Sequence, residues 1–234
     1  MNGEALIVLQ ARLASRRLPG KALADVAGRS ILARCLARLR ADAAAPLVLA
    51  TTTNREDDAV AAVAIAEGVP VIRGPESDVL RRFLLAADMF GPTYIVRATA
   101  DNPAVDIDAP RRVLETLVGS GADYVIESGL PYGSAVEAVT VDALRKADAL
   151  ARDASDREHV TPCVRRDRLF HALETPAPEH VRRPGLRLSV DTLQDLAYMR
   201  RVVGALDDPR AEAPLADIIA AADALACGVL AVAQ

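Results

Sequence analysis

The sequence predicts an α/β protein whose mostly parallel central sheet is covered by helices on both faces. Short apolar runs recur along the chain, and amphipathic helical patterns separate the first five of them. The 234 residues are 51% hydrophobic, which is enough for the core of one large domain. Strands that alternate with helices favour parallel pairing, and ligands bind at the carboxyl ends of such strands. Polar residues directly after strands are therefore candidates for a functional site.

Six apolar runs have the length and composition of buried strands. They are residues 5–9, 47–50, 69–72, 94–96, 124–126 and 186–190, with 136–141 as a further extended piece. One helix is predicted behind Ser30 as its N-cap, and a second behind Ser77 or Asp78.

Later helices are predicted from their start signals. They begin near Thr140, near Ser155 and after Thr192, and the last two have the spacing of a capping box with Glu158 and Asp195. The alternation weakens after residue 126. We expect one domain over residues 1–234, with an irregular flap or dimerisation insertion at about residues 130–172.

Charge and cysteine content exclude several classes of protein. Lys and Arg total 28 against 32 Asp and Glu, so the net charge of -4 argues against a general nucleic-acid binder. Three cysteines without close spacing fit neither a disulfide framework nor a zinc ribbon. The start of the chain lacks the pattern of a secretory signal, and Asp217 and Asp223 interrupt the most apolar late stretch. We expect a cytoplasmic protein that does not bind membranes.

The loop after the first predicted strand carries Arg12, Arg16, Arg17 and Lys21, with Gly20 beside a proline. Arginine forks and a lysine ammonium bind phosphate oxygens, and glycine lets the backbone approach an anion. A solvated basic loop is the alternative interpretation, which the position after a strand disfavours. The spacing of a Walker loop is absent.

Two carboxylates are predicted at the same edge of the sheet. Asp101 follows the fourth strand, where an Asx-type turn is the alternative, and Asp191 follows the run at 186–190 and is expected to point outward. Mg2+ binds one or two carboxylates together with phosphate oxygens. Asp101 and Asp191 facing a basic loop therefore predict a site for Mg2+ and a nucleoside triphosphate.

Other polar residues have more than one interpretation. Glu158 is first a cap partner, and a single histidine such as His159 is more often structural than catalytic. Asp106 and Asp108 have the Asp-x-Asp form of a glycosyltransferase metal site. They lie downstream of Asp101, where a helix is expected to begin, so we favour a structural role for them.

The order of these motifs resembles the cytidylyltransferase family, and within it the spore-coat polysaccharide biosynthesis branch, which is related to synthetases of CMP-activated acidic sugars. The resemblance spans about residues 5–205 and is carried by Gln10-Ala11-Arg12-x-x-Ser15-x-Arg17-Leu18-Pro19-Gly20-Lys21, Arg73-Gly74-x4-Val79-Leu80-x-Arg82, Arg97-x-Thr99-x-Asp101-x-Pro103, Glu158-His159-Val160-Thr161-Pro162 and Val190-Asp191-Thr192. Ala100 and Asn102 depart from the Gly-Asp-Cys-Pro of many members, as does Ala135, where an acidic or amide residue is common.

The resemblance implies a Rossmann-like nucleotide-diphospho-sugar transferase fold and assigns roles to residues. Arg12, Lys21 and Asp101 are the implied catalytic residues, and Asp101 and Asp191 the implied ligands of Mg2+. The implied nucleotide-binding residues are Gln10, Ala11, Arg12, Ser15, Arg17, Gly20, Lys21, Thr51, Thr52, Arg73, Arg97 and Thr99, with the Thr51–Thr52 loop near the base. Glu137, Glu158 and His159 are the implied acceptor-binding residues.

We therefore expect a Mg2+-dependent nucleotidyltransferase that moves CMP from CTP to a sugar or sugar-acid acceptor, releases pyrophosphate and supplies precursors of surface polysaccharides or glycoconjugates. The resemblance also implies a homodimer. Two alternatives remain open: a glycosyltransferase of similar fold that uses a finished nucleotide-sugar, and a nucleotide-binding protein without turnover.

Overall fold

The computed structural model describes residues 4–209 and 212–228. The strands are β1 (Ala5–Gln10), β2 (Asp25–Val26), β3 (Arg29–Ser30), β4 (Leu47–Thr52), β5 (Val71–Gly74), β6 (Tyr94–Thr99), β7 (Tyr124–Ser128), β8 (Glu137–Thr140) and β9 (Ala172–Pro176). The helices are α1 (Ile31–Ala41), α2 (Asp58–Ala66), α3 (Val79–Phe90), α4 (Ala109–Ser120), α5 (Val141–Leu150), α6 (Ala154–His159), α7 (Pro162–Arg166), α8 (Leu193–Gly204) and α9 (Leu215–Ala226).

Seven of the strands form one sheet in the order β5-β4-β1-β6-β8-β7-β9, and β2 and β3 form a separate hairpin. Every neighbouring pair in the large sheet is parallel except those made by β8, which runs antiparallel to β6 and β7. The predicted α/β class with a mostly parallel sheet is confirmed. Because β8 runs the opposite way, its first residue, Glu137, lies beside Arg97 near the carboxyl ends of the parallel strands.

Alternation along the strands divides the core between two faces of the sheet. Ile7 and Leu9 of β1 pack in a cluster with residues of α1, α4, α8 and α9. Leu6 and Val8 pack on the other face with residues of α3, α5 and α7. All four side chains are at most 2% exposed, and burying each stabilises the fold by about 1.5–3 kcal/mol. Helices therefore cover both faces, as predicted.

The helix start signals are largely confirmed. Ser30 and Thr140 accept hydrogen bonds from the third residue of α1 and α5, and Thr192 and Asp195 form the predicted capping box of α8. Asp78, one of the two candidates, caps α3. The capping box predicted at Ser155 is wrong, because the side chain of Asp153 accepts from the backbone N–H of residue 156 and starts α6 earlier.

Two strand predictions need correction. The run at 69–72 becomes a strand only from Val71. The run at 186–190 is not a strand of the main sheet: it is extended, but its backbone bonds to loop residues, from Leu188 N to Tyr132 O and from Val190 N to Asp101 O, each at 2.8 Å. Its apolar residues signal burial against the core rather than pairing in the sheet. The exposed edge strand β9 lacks an apolar run and was not predicted.

The segment 130–172 contains regular elements. It contributes β8 to the main sheet and α5 and α7 to one helical layer. Pairing of two copies through this segment stays a prediction. In the part of the chain that the structure describes, no helix has the length and apolar character needed to cross a membrane.

Candidate active site

A cleft of about 860 Å³ opens at the carboxyl edge of the sheet. Its walls are the loop after β1, the turn after β6, the start of β8, the segment around residues 129–135 and the end of α6. Thirteen of the predicted site residues line it: Gln10, Ala11, Arg12, Ser15, Arg17, Lys21, Arg97, Thr99, Asp101, Glu137, Glu158, His159 and Asp191. The sheet thus brings together groups that are up to 181 positions apart in sequence, from Gln10 to Asp191.

Backbone bonds and a buried carboxylate shape the basic loop after β1. Asp57 is fully buried, accepts from Leu13 N at 2.7 Å and is bonded by the hydroxyl of Thr52 at the end of β4. Gly20 closes the loop through its N–H to Leu13 O at 3.1 Å. Its φ of 73° lies in the left-handed region that favours glycine. The loop therefore presents its basic side chains from a fixed backbone.

Lys21 connects the two predicted metal ligands. Its Nζ donates to Asp101 Oδ2 at 3.2 Å, to Asp191 Oδ1 at 2.8 Å and to Val190 O at 3.0 Å. We call the contacts of Lys21 with these two carboxylates the Lys21 bridge. The side chain of Lys21 is 15% exposed, so the bridge lies in a partly desolvated position at the end of the basic loop.

Asp191 is the most strongly paired carboxylate of the site. The prediction that it points outward is wrong, since it is 5% exposed and Arg17 and Arg187 contact it as well as Lys21, at 2.8 and 2.5 Å. Burial by itself raises the pKa of Asp191, but the hydrogen bond and charge of Lys21, with the charges of the two arginines, outweigh it and lower the pKa. The group is ionised and able to bind cations at neutral pH.

Arg12 lies at the mouth of the same loop. Its guanidinium contacts Glu76 at 3.4 Å and Glu158 at 3.0 Å, and its side chain is 33% exposed. The two glutamates are themselves about half exposed, at 41% and 51%. Such surface ion pairs are weak, so an anion of higher charge can replace the two glutamates as the partner of Arg12.

The opposite end of the cleft contains a buried ion pair. Arg97 contacts Glu137 at 3.0 Å, and the hydroxyl of Thr161 donates to the same carboxylate oxygen at 2.8 Å. Both charged side chains are at most 13% exposed. His159 ends α6 with an exposed side chain. This end offers fixed donors and acceptors to a polar ligand.

Four of the predicted nucleotide-binding residues lie outside the lining of this cleft. Thr51 and Thr52 are fully buried in β4, and Arg73 donates to the backbone oxygens of Thr52 and Asn54, at 2.8 and 2.9 Å. Gly20 shapes the loop from its outer side. Arg73, Thr51 and Thr52 thus support the fold around the site, and contact of these residues with a nucleotide stays a prediction.

Sequence reasoning did not assign Arg82 to the site, although the side chain lines the cleft. It is 2% exposed, and burial, with the nearby charge of Arg12, lowers its pKa to about 10. Its Nε, together with Gln10 Oε1 and Ser189 Oγ, is buried without a hydrogen-bond partner among the described residues. Such orphaned polar atoms in a cleft are typical of a ligand site. Only the Val79-Leu80-x-Arg82 spacing could have indicated this arginine.

The donor set fits a magnesium ion that is shared with a phosphate ligand. Asp101 and Asp191 both reach the nitrogen of the Lys21 bridge, so their oxygens converge on one position. No cluster of three His, Cys, Asp or Glu side chains within residues 4–209 and 212–228 could hold a metal. Two carboxylates suit Mg2+, which takes its remaining ligands from water and phosphate.

Sequence comparison relates the chain to proteins of known and unknown role. A sequence model described as cytidylyltransferase matches residues 6–215. An uncharacterized protein of Methanocaldococcus jannaschii is 37% identical over 190 residues, covering 80% of this chain and 78% of the relative. The spore coat polysaccharide biosynthesis protein of Bacillus subtilis is 33% identical over 199 residues, covering 82% and 83%. The 3-deoxy-manno-octulosonate cytidylyltransferase of Chelativorans sp. is 29% identical over 158 residues, covering 65% and 61%.

Solved structures share the fold. A cytidylyltransferase from Leptospira borgpetersenii superposes with a TM-score of 0.87 at 25% identity and covers 99% of both chains. CMP:2-keto-3-deoxy-manno-octonic acid synthetase in complex with CTP has a TM-score of 0.66 at 16% identity, covering 86% of this chain and 98% of the other. A Mycobacterium tuberculosis protein in complex with manganese has a TM-score of 0.57 at 22% identity, covering 83% and 96%. The last two show the fold alone, whereas the match over residues 6–215 establishes that this chain belongs to the cytidylyltransferase family.

Proposed function

We propose that the chain is a Mg2+-dependent cytidylyltransferase that transfers CMP from CTP to a sugar or sugar-acid acceptor and releases pyrophosphate. The observation that carries the proposal is the Lys21 bridge: two carboxylates, Asp101 and Asp191, converge on one cation position directly beside a loop of arginines. Carboxylates that face cations in this way suit a metal–triphosphate complex, because the metal binds the carboxylates and the basic side chains bind phosphate oxygens.

Each basic residue has a place in the transfer. Arg12 and Arg17 come from the exposed part of the loop and offer forked donors to phosphate oxygens, and Lys21 offers a compact charge beside the metal ligands. Asp101 and Asp191 would hold Mg2+, which would supply positive charge to the phosphate oxygens as negative charge develops on them. These groups orient the α-phosphate so that an acceptor oxygen attacks it in line as pyrophosphate leaves.

The acceptor binds at the end of the cleft that contains Arg97, Glu137 and His159. The Arg97–Glu137 pair is buried and held by Thr161, so it keeps a fixed geometry for hydroxyl groups. His159 and Glu158 are exposed at the same wall and can contact the outer part of the acceptor. The relatives that act in spore coat polysaccharide biosynthesis and on 3-deoxy-manno-octulosonate favour a role in surface polysaccharide or glycoconjugate precursors.

The position of Asp106 argues against the glycosyltransferase alternative. This residue is 1% exposed and pairs with Arg112 at 2.6 Å, while Asp108 is the residue before α4. A metal ligand of an Asp-x-Asp motif needs a carboxylate that is free to face the nucleotide. Asp106 is instead part of a buried ion pair that holds α4 against the sheet.

Pyrophosphate release distinguishes the alternatives, since transfer from a finished nucleotide-sugar does not produce it. The experiment incubates the protein with Mg2+, one of four nucleoside triphosphates and a panel of sugars and sugar acids, and measures acceptor-dependent pyrophosphate. A thermal-shift panel with the same nucleotides identifies the preferred base, because a ligand that binds the native state raises its stability. We expect the largest shift with CTP. A clearly larger shift with UTP or GTP would contradict the base assignment.

A further inference from the structure

A cation of the protein itself lies where the two predicted metal ligands converge. Nζ of Lys21 is 3.2 Å from Asp101 Oδ2 and 2.8 Å from Asp191 Oδ1, so these oxygens are at most 6.0 Å apart. The third N–H of the ammonium donates to Val190 O at 3.0 Å. An ammonium has three donors, and all three are used here. In this state Lys21 is a counterion of the carboxylates, with no donor left for phosphate.

The bridge makes the position unfavourable for a bare metal ion. Asp191 is also contacted by Arg17 and Arg187, so its charge is already compensated. A divalent ion that enters alone must displace Lys21, whose side chain is 15% exposed. The displaced ammonium would then lie beside the new ion without a partner, and both desolvation and like-charge repulsion oppose that arrangement.

A triphosphate changes this balance because it brings acceptors for the ammonium. Phosphate oxygens carry several negative charges and form charge-assisted hydrogen bonds with lysine and arginine. Arg12 and Arg17 lie on the same loop as Lys21 and line the same cleft. A nucleotide that binds this loop offers Lys21 new partners, after which the oxygens of Asp101 and Asp191 are available to a metal.

We propose that Lys21 excludes free divalent cations from Asp101 and Asp191 until a triphosphate draws its ammonium away, so that the nucleotide enters before the metal or together with it. The proposal concerns the binding order at the site of the proposed function, on which it rests for the nature of the nucleotide. It assigns Lys21 two successive partners, the carboxylates first and the phosphate afterwards.

The test measures binding of Mn2+ in the absence of nucleotide, by calorimetric titration and by the paramagnetic resonance signal of free Mn2+. Lys21→Met removes the ammonium and keeps an unbranched side chain that is one atom shorter. We expect this variant to bind Mn2+ about tenfold more tightly than the wild type, or better, because the competing charge is gone. The double variant Lys21→Met/Asp191→Asn should lose the gained affinity, which locates the ion at the predicted ligands.

Arg17→Met is the matched control. It also removes a positive charge that contacts Asp191. Arg17, however, is 66% exposed, and its ion pair is with Asp191, whereas Lys21 pairs with both Asp101 and Asp191. An equal gain of Mn2+ affinity in Arg17→Met would mean a general charge effect and would overturn the proposal. The proposal would also be overturned if the wild type bound Mn2+ equally tightly with and without a non-hydrolysable CTP analogue. This comparison needs no variant, so it does not depend on whether the variants fold. Lys21→Ala serves as the second variant if Lys21→Met is unstable.

The outcome is independent of the proposed activity, since no acceptor or turnover is involved. If the nucleotide-free wild type bound Mn2+ tightly, the proposed binding order would be refuted, whereas the proposed transferase function would be unaffected. Failure to release pyrophosphate from any triphosphate, combined with a gain of Mn2+ binding in Lys21→Met, would remove the transferase assignment and leave the exclusion of the metal.

Discussion

At the scale of single residues, Asp101 and Asp191 have different surroundings although they share Lys21. The side chain of Asp101 is 32% exposed, whereas that of Asp191 is 6% exposed and has two arginine partners in addition. Asp191 is therefore the more fixed of the two proposed metal ligands. Asp101 is the one that can adjust when a metal and its phosphate ligands arrive.

Asp101→Asn and Asp191→Asn should each keep the fold and lower acceptor-dependent pyrophosphate release by about 100-fold or more, because a bound metal contributes several kcal/mol to transition-state stabilisation. The double variant should lose little more than either single variant, since residues that hold one ion act as a unit. Initial rates at several Mg2+ concentrations measure both effects. Asp108→Asn is the control, because that exposed carboxylate lies outside the cleft and should keep the wild-type rate.

The lowered pKa of Asp191 predicts how its contribution to stability depends on pH. A carboxylate whose pKa is lower in the folded state stabilises the fold above its unfolded pKa, near 4, and loses that contribution as the pH falls through the folded value. The difference in unfolding free energy between wild type and Asp191→Asn should thus stay constant from pH 7 to about 4 and shrink below it. Urea unfolding at pH 7, 4 and 3 tests this. A difference that widens in acid would show that the ion pairs of Asp191 do not stabilise the fold.

At the scale of elements, the capping box of α8 also orients a site residue. One oxygen of Asp195 accepts from Thr192 N at 2.9 Å and from Asp191 N at 3.0 Å. The start of this helix therefore fixes the backbone of Asp191, the proposed metal ligand that precedes it. The N-cap of α1, Ser30, also accepts a hydrogen bond from a backbone N–H, that of Ala33, but it lies on the β2–β3 hairpin, outside the cleft.

This difference gives a paired prediction. Asp195→Ala and Ser30→Ala should each lower the unfolding free energy by about 1 kcal/mol, because the first removes the N3 partner of a capping box and the second removes an N-cap. Only Asp195→Ala should also weaken binding of Mg2+ and CTP, by about tenfold, as groups that orient a metal ligand do. Urea unfolding and calorimetric titration of the two variants separate the effects. Equal nucleotide affinity in both would show that the cap does not position Asp191.

At the scale of the whole molecule, the sheet order decides which loops meet. β1 lies between β4 and β6, so the basic loop after β1 faces the turn that contains Asp101. The extended segment at 186–190 crosses the carboxyl edge and brings Asp191 to the same point through Val190 N and Asp101 O. The cleft is thus assembled from contacts between distant parts of the chain.

We expect the protein to form a homodimer through residues 130–172. Leu169 in this segment is 73% exposed, so its side chain is available to an apolar surface of a second copy. Light scattering at micromolar concentration should give twice the mass of the 24.8 kDa chain. Leu169→Glu should shift the mass toward the monomer, and the substitution of the surface valine Val118→Glu on α4 is the control. A monomeric mass for the wild type would rule the prediction out.

The sequence by itself determined the features that depend on local chemistry. The alternation of β1, α1 and β4 follows from apolar periodicity, and Ser30, Thr140 and Thr192 mark helix starts because their side chains bond to nearby backbone N–H groups. The spacing in the first loop was also sufficient to indicate the family. These signals are local, since each is formed by residues within a few positions of one another.

Only the tertiary structure decided which polar groups face each other. The run at 186–190 was predicted as a strand because burial in a loop crossing and burial in a sheet produce the same apolar pattern. Asp191 was expected to point outward, but its contacts with Lys21, 170 positions away, enclose it. Arg82 of α3 lines the same cleft as the loop after β1, although the two segments are far apart in the sequence. Such pairings depend on the order and register of distant strands, and that information is spread over the whole chain rather than contained in any motif.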